Sequence, residues 1–326
     1  MLKEFSELLS KYIKRSNKTI AQLERETTIS RDTLERWQRG ELKRGIGTDN
    51  REKLITLAHA LGVNEQEGKD FLIAAKCGSS DQNKPALSQA VPADFFYGRE
   101  TNICEIVNSW VKPMNHLAVV GVKQSGKTSL LHYVKAKGGG RAQAKGIASP
   151  LLVFADFQGA RTPDVFAKQV LADMQCEGNT FEDLQYVMRN IQTPVVWLLD
   201  NIDNGWKAPG LGEEFWWGMR AIGQNNGGNL SICVTSRVSP AELPTPGNGP
   251  SPMANIFVQV QLKGFTYEET EGFMRYASLP QEELAWLYEC TRGMPVLLQR
   301  AWYEWQNKPD KPAWKKAICK FCENHP

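Results

Sequence analysis

The sequence predicts an all-α domain, then an α/β domain built on a parallel sheet with helices on both faces, then a small helical region. Three observations carry this. Residues 1–76 show only helical periodicity, five short apolar runs then alternate with helical stretches, and beyond Gly264 the pattern is helical again. Continuous apolar runs mark strands buried on both faces, and helices between such strands are the mark of a parallel sheet.

In the first part, Phe5, Leu8, Leu9, Tyr12 and Ile13 recur at helical spacing. Ile20 with Leu23, and Leu34 with Trp37, mark two short helices, and Ser30 is placed to cap the second. Leu54, Leu57, Ala58 and Leu61 predict another helix, and Phe71, Leu72 and Ala75 a last one. Two short helices about a tight turn form a helix-turn-helix, whose second helix enters a DNA major groove. Here that helix is "SRDTLERWQRG", with Arg31, Asp32, Thr33 and Arg36 expected outward and Leu34 and Trp37 inward. Arg31 or Arg36 suits a bidentate contact to guanine, while Thr33 and Arg39 join the expected DNA-binding set. The net charge is only +3, but Lys11–Arg44 holds ten basic and five acidic residues, a local footprint suited to double-stranded DNA. The competing readings are a solvated helical face and a small protein-binding domain.

"CGSSDQNKPALSQAVPAD" (77–94) reads as a linker. The apolar runs follow: "LAVVG" (117–121), "LLVFAD" (151–156), "VVWLLD" (195–200), "LSICVTS" (230–236) and "IFVQVQL" (256–262). Directly after the first comes "GVKQSGKT", in which Gly121, Gly126, Lys127 and Thr128 fit G-x-x-x-x-G-K-[ST]. Glycines let backbone N–H groups curl around phosphates, Lys127 neutralises the β/γ oxygens, and the Thr128 hydroxyl ligates Mg²⁺. Ser129 joins this nucleotide-binding set. Asp200 ends a buried strand, where a carboxylate can hold Mg²⁺ through water. Residues 95–262 are thus expected to form a P-loop NTPase core that binds ATP or ADP with Mg²⁺, and 263–326 a helical lid with a basic tail.

"TIAQLERETTISRDTLERWQRGELKR" with "LITLAHALGVNEQEGKDFLIAAK" resembles the phage-repressor (XRE/Cro-like) helix-turn-helix, in the version fused to bacterial signal-transduction ATPases. It departs from that pattern in a longer "KRGIGTDNRE" connection. "VVWLLDNID" resembles the Asp-x-x-Asp element of the STAND ATPases, the NACHT and NB-ARC types, which are related to the AAA proteins. The resemblance implies a catalytic or water-positioning role for Asp203. "FFYGRE" resembles the box upstream of their phosphate loop, with Arg99 near the nucleotide. "ICVTSR" resembles their fourth strand, implying that Arg237 senses the γ-phosphate. "GMP" resembles the turn that sets Pro295 near adenine. Where many such ATPases have glutamate after the first aspartate, this chain has Asn201. Slow hydrolysis, well below about one turnover per second, is therefore expected, and Asn201→Glu is expected to raise it.

No apolar run approaches the roughly 18 residues of a membrane span. Seven scattered cysteines argue for reduced thiols, so a cytoplasmic protein is expected. The sequence given has no repeat array after the nucleotide domain, so a sensor or effector is expected on a partner chain, with homo-oligomerisation on ATP binding. The expected function is a DNA-binding, ATP-regulated switch in transcription or an antiphage system. The alternatives are a transposition-type ATPase that coats DNA and recruits a transposase, and a protein-interaction adaptor with structural nucleotide. Three smaller signals remain. "CKFCENH" has zinc-like spacing but lacks a fourth ligand. "KAKGGGRAQAKG" (135–146) reads as a basic glycine-rich loop that could touch DNA. Arg220 is a candidate arginine finger for a neighbouring subunit, its segment otherwise being a core helix.

Overall fold

The computed structural model describes residues 3–27, 29–41, 51–75, 90–111, 113–243, 251–253, 255–275, 277, 279–307 and 311–323. The chain divides into two compact units, Met1–Lys84 and Pro85–Pro326. Residues 43–50 of the "KRGIGTDNRE" connection and most of the expected linker lie outside the described residues, and Arg51 and Glu52 open the next helix.

The first unit is helical: α1 (Lys3–Ser16), α2 (Ile20–Thr27), α3 (Arg31–Gln38), α4 (Arg51–Ala60) and α5 (Glu65–Ala74). Its core gathers the apolar residues that recur at helical spacing, including Phe5, Leu9, Leu23, Leu34, Trp37, Leu57 and Phe71. Phe5 lies at its centre, 4.9 Å from the Phe71 ring and 6.0 Å from Trp37. Ser30 caps α3, its hydroxyl accepting from the Thr33 N–H at 3.4 Å.

The second unit holds five parallel strands in the order β2-β3-β4-β1-β5: β1 (His116–Val120), β2 (Leu151–Asp156), β3 (Val195–Asp200), β4 (Leu230–Ser236) and β5 (Phe257–Gln261). Alternation splits each strand between two cores. In β3, Val195, Trp197 and Leu199 face one core and Val196 and Leu198 the other. The first core is closed by α8 (Pro163–Asp173), α9 (Phe181–Arg189) and α11 (Glu213–Gln224), and the second by α6 (Glu100–Asn108) and α7 (Lys127–Ala144). A short α10 (Ile202–Trp206) follows β3. The final helices, α12 (Tyr267–Arg275), α13 (Gln281–Thr291), α14 (Pro295–Asn307) and α15 (Lys311–Glu323), enclose a third core with Trp314 fully buried.

Three expectations need correction. Residues 135–144 are not a loop but the second half of α7. Gly138 faces the Trp110 ring, where a Cβ would come within 2.7 Å of it, so small residues are required for α7 to close on the segment after α6. The cations there are engaged: Lys135 with Asp173 at 2.5 Å, Lys137 with Asp94 at 3.0 Å, and Arg141 with Glu100 at 3.1 Å. The basic tail is α15, pinned through Trp314, Ile318 and a Lys315–Glu283 pair at 2.5 Å. The end of the linker, 90–94, packs on the α/β unit, with the Val91 N–H donating to Ser129 Oγ at 3.0 Å.

The helical region joins the sheet domain at a backbone crossing. Phe265 N–H donates to Gly293 O at 2.7 Å. A Cβ on Gly264 would sit 2.0 Å from Arg292 O, and Gly293 has φ +69°. Gly264→Ala should lower the unfolding free energy by about 2–4 kcal/mol in denaturant titrations. Gly140→Ala, at an exposed point of α7 with open space for a Cβ, should instead stabilise by roughly 0.5–1 kcal/mol.

Candidate nucleotide site

The strand order sets β1 between β4 and β5, with β3 beyond β4, so the turn after β1 opens beside the end of β3. Gly121 turns the chain out of β1, where a Cβ would stand 2.7 Å from Leu262 O. Gly126 has φ +94° and starts α7. Lys127 is buried, and its Nζ donates to Gly121 O at 2.7 Å and Val122 O at 2.8 Å. Burial lowers its pKa, while Asp200 and Asp203 oppose that shift. The Ser125 hydroxyl is fully buried with no hydrogen-bond partner among the described residues.

Asp200 organises the site. Its Oδ2 accepts from Thr128 Oγ1 at 2.7 Å and from Asn201 Nδ2 at 3.0 Å, and its Oδ1 accepts from the Thr235 hydroxyl. Thr235 Oγ1 in turn accepts from the Asn201 N–H at 2.9 Å. Burial is the main cause that raises the Asp200 pKa; the Thr235 and Thr128 hydrogen bonds act the other way, and Asp156 adds to the rise. A hydroxyl and a carboxylate in contact form a hard-oxygen pair that fits Mg²⁺. Asn201 has φ 58° and stands as N-cap of α10, which puts Asp203 in its first turn.

The remaining expected residues fall into place as follows. Asp203 is buried, its Oδ2 3.5 Å from Arg237 Nε, so the expected catalytic carboxylate and the expected phosphate sensor face each other. Pro295 opens α14, its Cγ 4.0 Å from where a Gly126 Cβ would be. Ser129 is spent on Val91. Arg99 is buried and acts as a brace: Nη2 donates to Ser125 O at 3.1 Å, Nη1 donates to Lys263 O, and its guanidinium carbon lies 4.7 Å from the Phe265 ring centroid. Burial lowers its pKa to about 10. Arg220 donates to Pro252 O at 2.6 Å within its own chain. Cys319 and Cys322 lie on α15, His325 lies outside the described residues, and no metal-binding group of three or more ligands occurs among the described residues.

Sequence reasoning missed Thr235, Glu269 and Asp156. Glu269 accepts the Arg99 N–H at 2.9 Å. Asp156 was legible, because "LLVFAD" and "VVWLLD" both end in aspartate.

On the first unit, Leu34 and Trp37 of α3 are buried while Arg31, Asp32, Arg36 and Arg39 are exposed and Thr33 half-buried. Arg31 pairs with Glu35 at 2.8 Å and Arg39 with Glu41 at 3.2 Å; Arg36 has no ion pair among the described residues. The Thr33 and Ser30 hydroxyls are 2.8 Å apart.

No protein family's sequence profile matches this chain, and no curated protein does. Solved structures do. The Walker-type ATPase PABY2304 of Pyrococcus abyssi aligns with TM-score 0.51 and 14% identity over 73% of this chain and 75% of that one. The Aeropyrum pernix ORC1 protein in complex with DNA aligns at TM-score 0.49 and 14% identity, over 70% of this chain and 64% of that one. AMPPCP-bound DnaA from Aquifex aeolicus aligns at 0.44 and 14%, over 71% of each. The likeness at TM-score 0.51 is one of fold, a parallel five-stranded sheet flanked by helices.

A carboxylate raised by burial costs stability when ionised. Because the folded state binds the proton more tightly, this contribution falls as pH rises from the ordinary carboxylate range through the raised value. Asp200→Asn should therefore raise the melting temperature of the ligand-free protein and abolish added protection by Mg·ATP, both read by thermal shift.

Proposed function

We infer that the chain is a nucleotide-controlled, DNA-binding ATPase of the signal-transduction kind, in which ATP and ADP states differ in self-association or partner binding. The observation that carries the reading is the Thr128–Asp200 hydrogen bond at 2.7 Å beside a buried lysine at the start of α7. The structural neighbour at TM-score 0.51 is a Walker-type ATPase, which supports the same reading.

The backbone of 121–126 and Lys127 would hold the phosphates, with Thr128 and Asp200 holding Mg²⁺. The ion would neutralise charge on the β- and γ-phosphate oxygens. Asn201 offers no proton acceptor next to Asp200, which fits slow turnover and a state held for a long time. The N-terminal unit would dock α3 in the major groove, with Arg36, which has no ion pair among the described residues, and Arg31, released from its exposed pair with Glu35, turned to the DNA. Pairing of two such units through nucleotide-dependent assembly would raise their avidity for DNA. The output would be transcriptional control or an antiphage response, with a partner chain supplying the signal.

Lys127→Ala should abolish ATP binding in calorimetry; binding as tight as wild type would refute the phosphate-loop assignment. Arg31→Ala with Arg36→Ala should weaken duplex DNA binding and make log K against log[salt] shallower by about 2. Unchanged affinity in the folded double variant would move the DNA surface elsewhere and favour a protein-binding role.

A further inference from the structure

A second carboxylate stands on the neighbouring strand, level with Asp200. β2 ends at Asp156 and β3 at Asp200, and the two residues are register partners at the same edge of the sheet. The Asn201 amide lies between them, its Nδ2 donating to Asp156 Oδ1 and to Asp200 Oδ2, each at 3.0 Å. The Gln158 N–H also donates to Asp156 Oδ1, at 2.9 Å.

The partners of the carboxylates beside the phosphate loop set them apart. Asp200 takes the Thr128 and Thr235 hydroxyls, which commits it to the metal. Asp203 is 4% exposed and is engaged by the Arg237 guanidinium, its Oδ2 3.5 Å from Nε. Asp156 meets only neutral donors among the described residues and is half-exposed. It stands one amide away from Asp200, which in turn bonds Thr128.

Resting on the nucleotide reading above, we propose that Asp156 orients the attacking water and takes its proton during ATP hydrolysis, and that Asn201 is the positioning residue that holds it beside Asp200. The water oxygen bonds to the γ-phosphorus, and the bond from that phosphorus to the bridging oxygen breaks, its electron pair leaving with ADP. The water's proton passes to Asp156 and then to solvent, leaving ADP and phosphate. Asn201 is thus a double donor between two like charges. Asn201→Glu would remove both hydrogen bonds and add a third negative charge, so it should slow hydrolysis, the reverse of the expectation from the sequence alone.

The test is single-turnover hydrolysis of γ-labelled ATP with Mg²⁺ and the full chain in excess, with binding of a fluorescent ATP analogue measured in parallel. Asp156→Asn keeps the acceptor for Gln158 and should cut the rate by about 100-fold or more with ATP affinity unchanged. Asp203→Asn should cut it by less than about tenfold. The exchange Asp156→Asn with Asn201→Asp returns a carboxylate to the end of β3 and should recover part of the rate. If Asp156→Asn does not fold, Asp156→Glu, which moves the carboxylate by one methylene, should slow hydrolysis at unchanged affinity. Wild-type turnover in a folded Asp156 variant, or a larger loss in Asp203→Asn, overturns the proposal. So does loss of Mg·ATP affinity in Asp156→Asn, which would put Asp156 in the metal shell. A wild-type chain that binds ATP but releases no phosphate overturns it while leaving the nucleotide site intact, whereas failure to bind ATP at all would remove both readings.

Discussion

The buried carboxylate of Asp200 is the interaction on which the α/β unit turns. It joins three segments that are distant in sequence, the start of α7 through Thr128, β4 through Thr235, and β3 with the adjoining entry to α10 through Asn201. Burying such a group is costly unless its lone pairs are filled, and here two hydroxyls and an amide fill them. The strand order makes this possible. Only with β3 beside β4, and β4 beside β1, do a threonine from α7 and a threonine from β4 reach the same carboxylate. The left-handed backbone of Asn201 then turns the chain sharply enough to return its own amide to Asp200 and Asp156. Strained conformations of this kind persist where the surrounding bonds over-determine them.

Much of this was legible in the sequence because strands buried on both faces write themselves as unbroken apolar runs. "LLVFAD", "VVWLLD" and "LSICVTS" match β2, β3 and β4 at both ends. The turn between β1 and α7 was legible because Gly121 and Gly126 bracket it. The glycines at 138–140 misled for a physical reason. Local propensity marks them as loop, but at Gly138 the closeness of Trp110 selects for the absence of a side chain, and tertiary packing outweighs propensity. The tail misled because its lysines dominate the composition, while Trp314 and Ile318 supply the burial that makes it a helix.

Pairwise geometry was not legible at all. The sequence names Asp203 and Arg237 but cannot reveal that they face each other, nor that the bridging of Asp156 and Asp200 by Asn201 gives that residue a purpose of its own. In the first unit, periodicity separates the buried Leu34 and Trp37 from the exposed cations of α3, but not the paired Arg31 and Arg39 from Arg36.

Arg99 has a mechanical meaning. One guanidinium holds a carbonyl of the phosphate loop, Ser125 O, and a carbonyl of the segment that leads into the helical region, Lys263 O, while its own backbone N–H is held by Glu269 of that region. Arg99 is buried, so its rigid planar group acts as a coupling rod with a bearing at each end. A shift of the turn after β1 would be carried through Arg99 to the root of α12. If that turn holds phosphates as proposed, the final helices would register them at second hand, through Arg99.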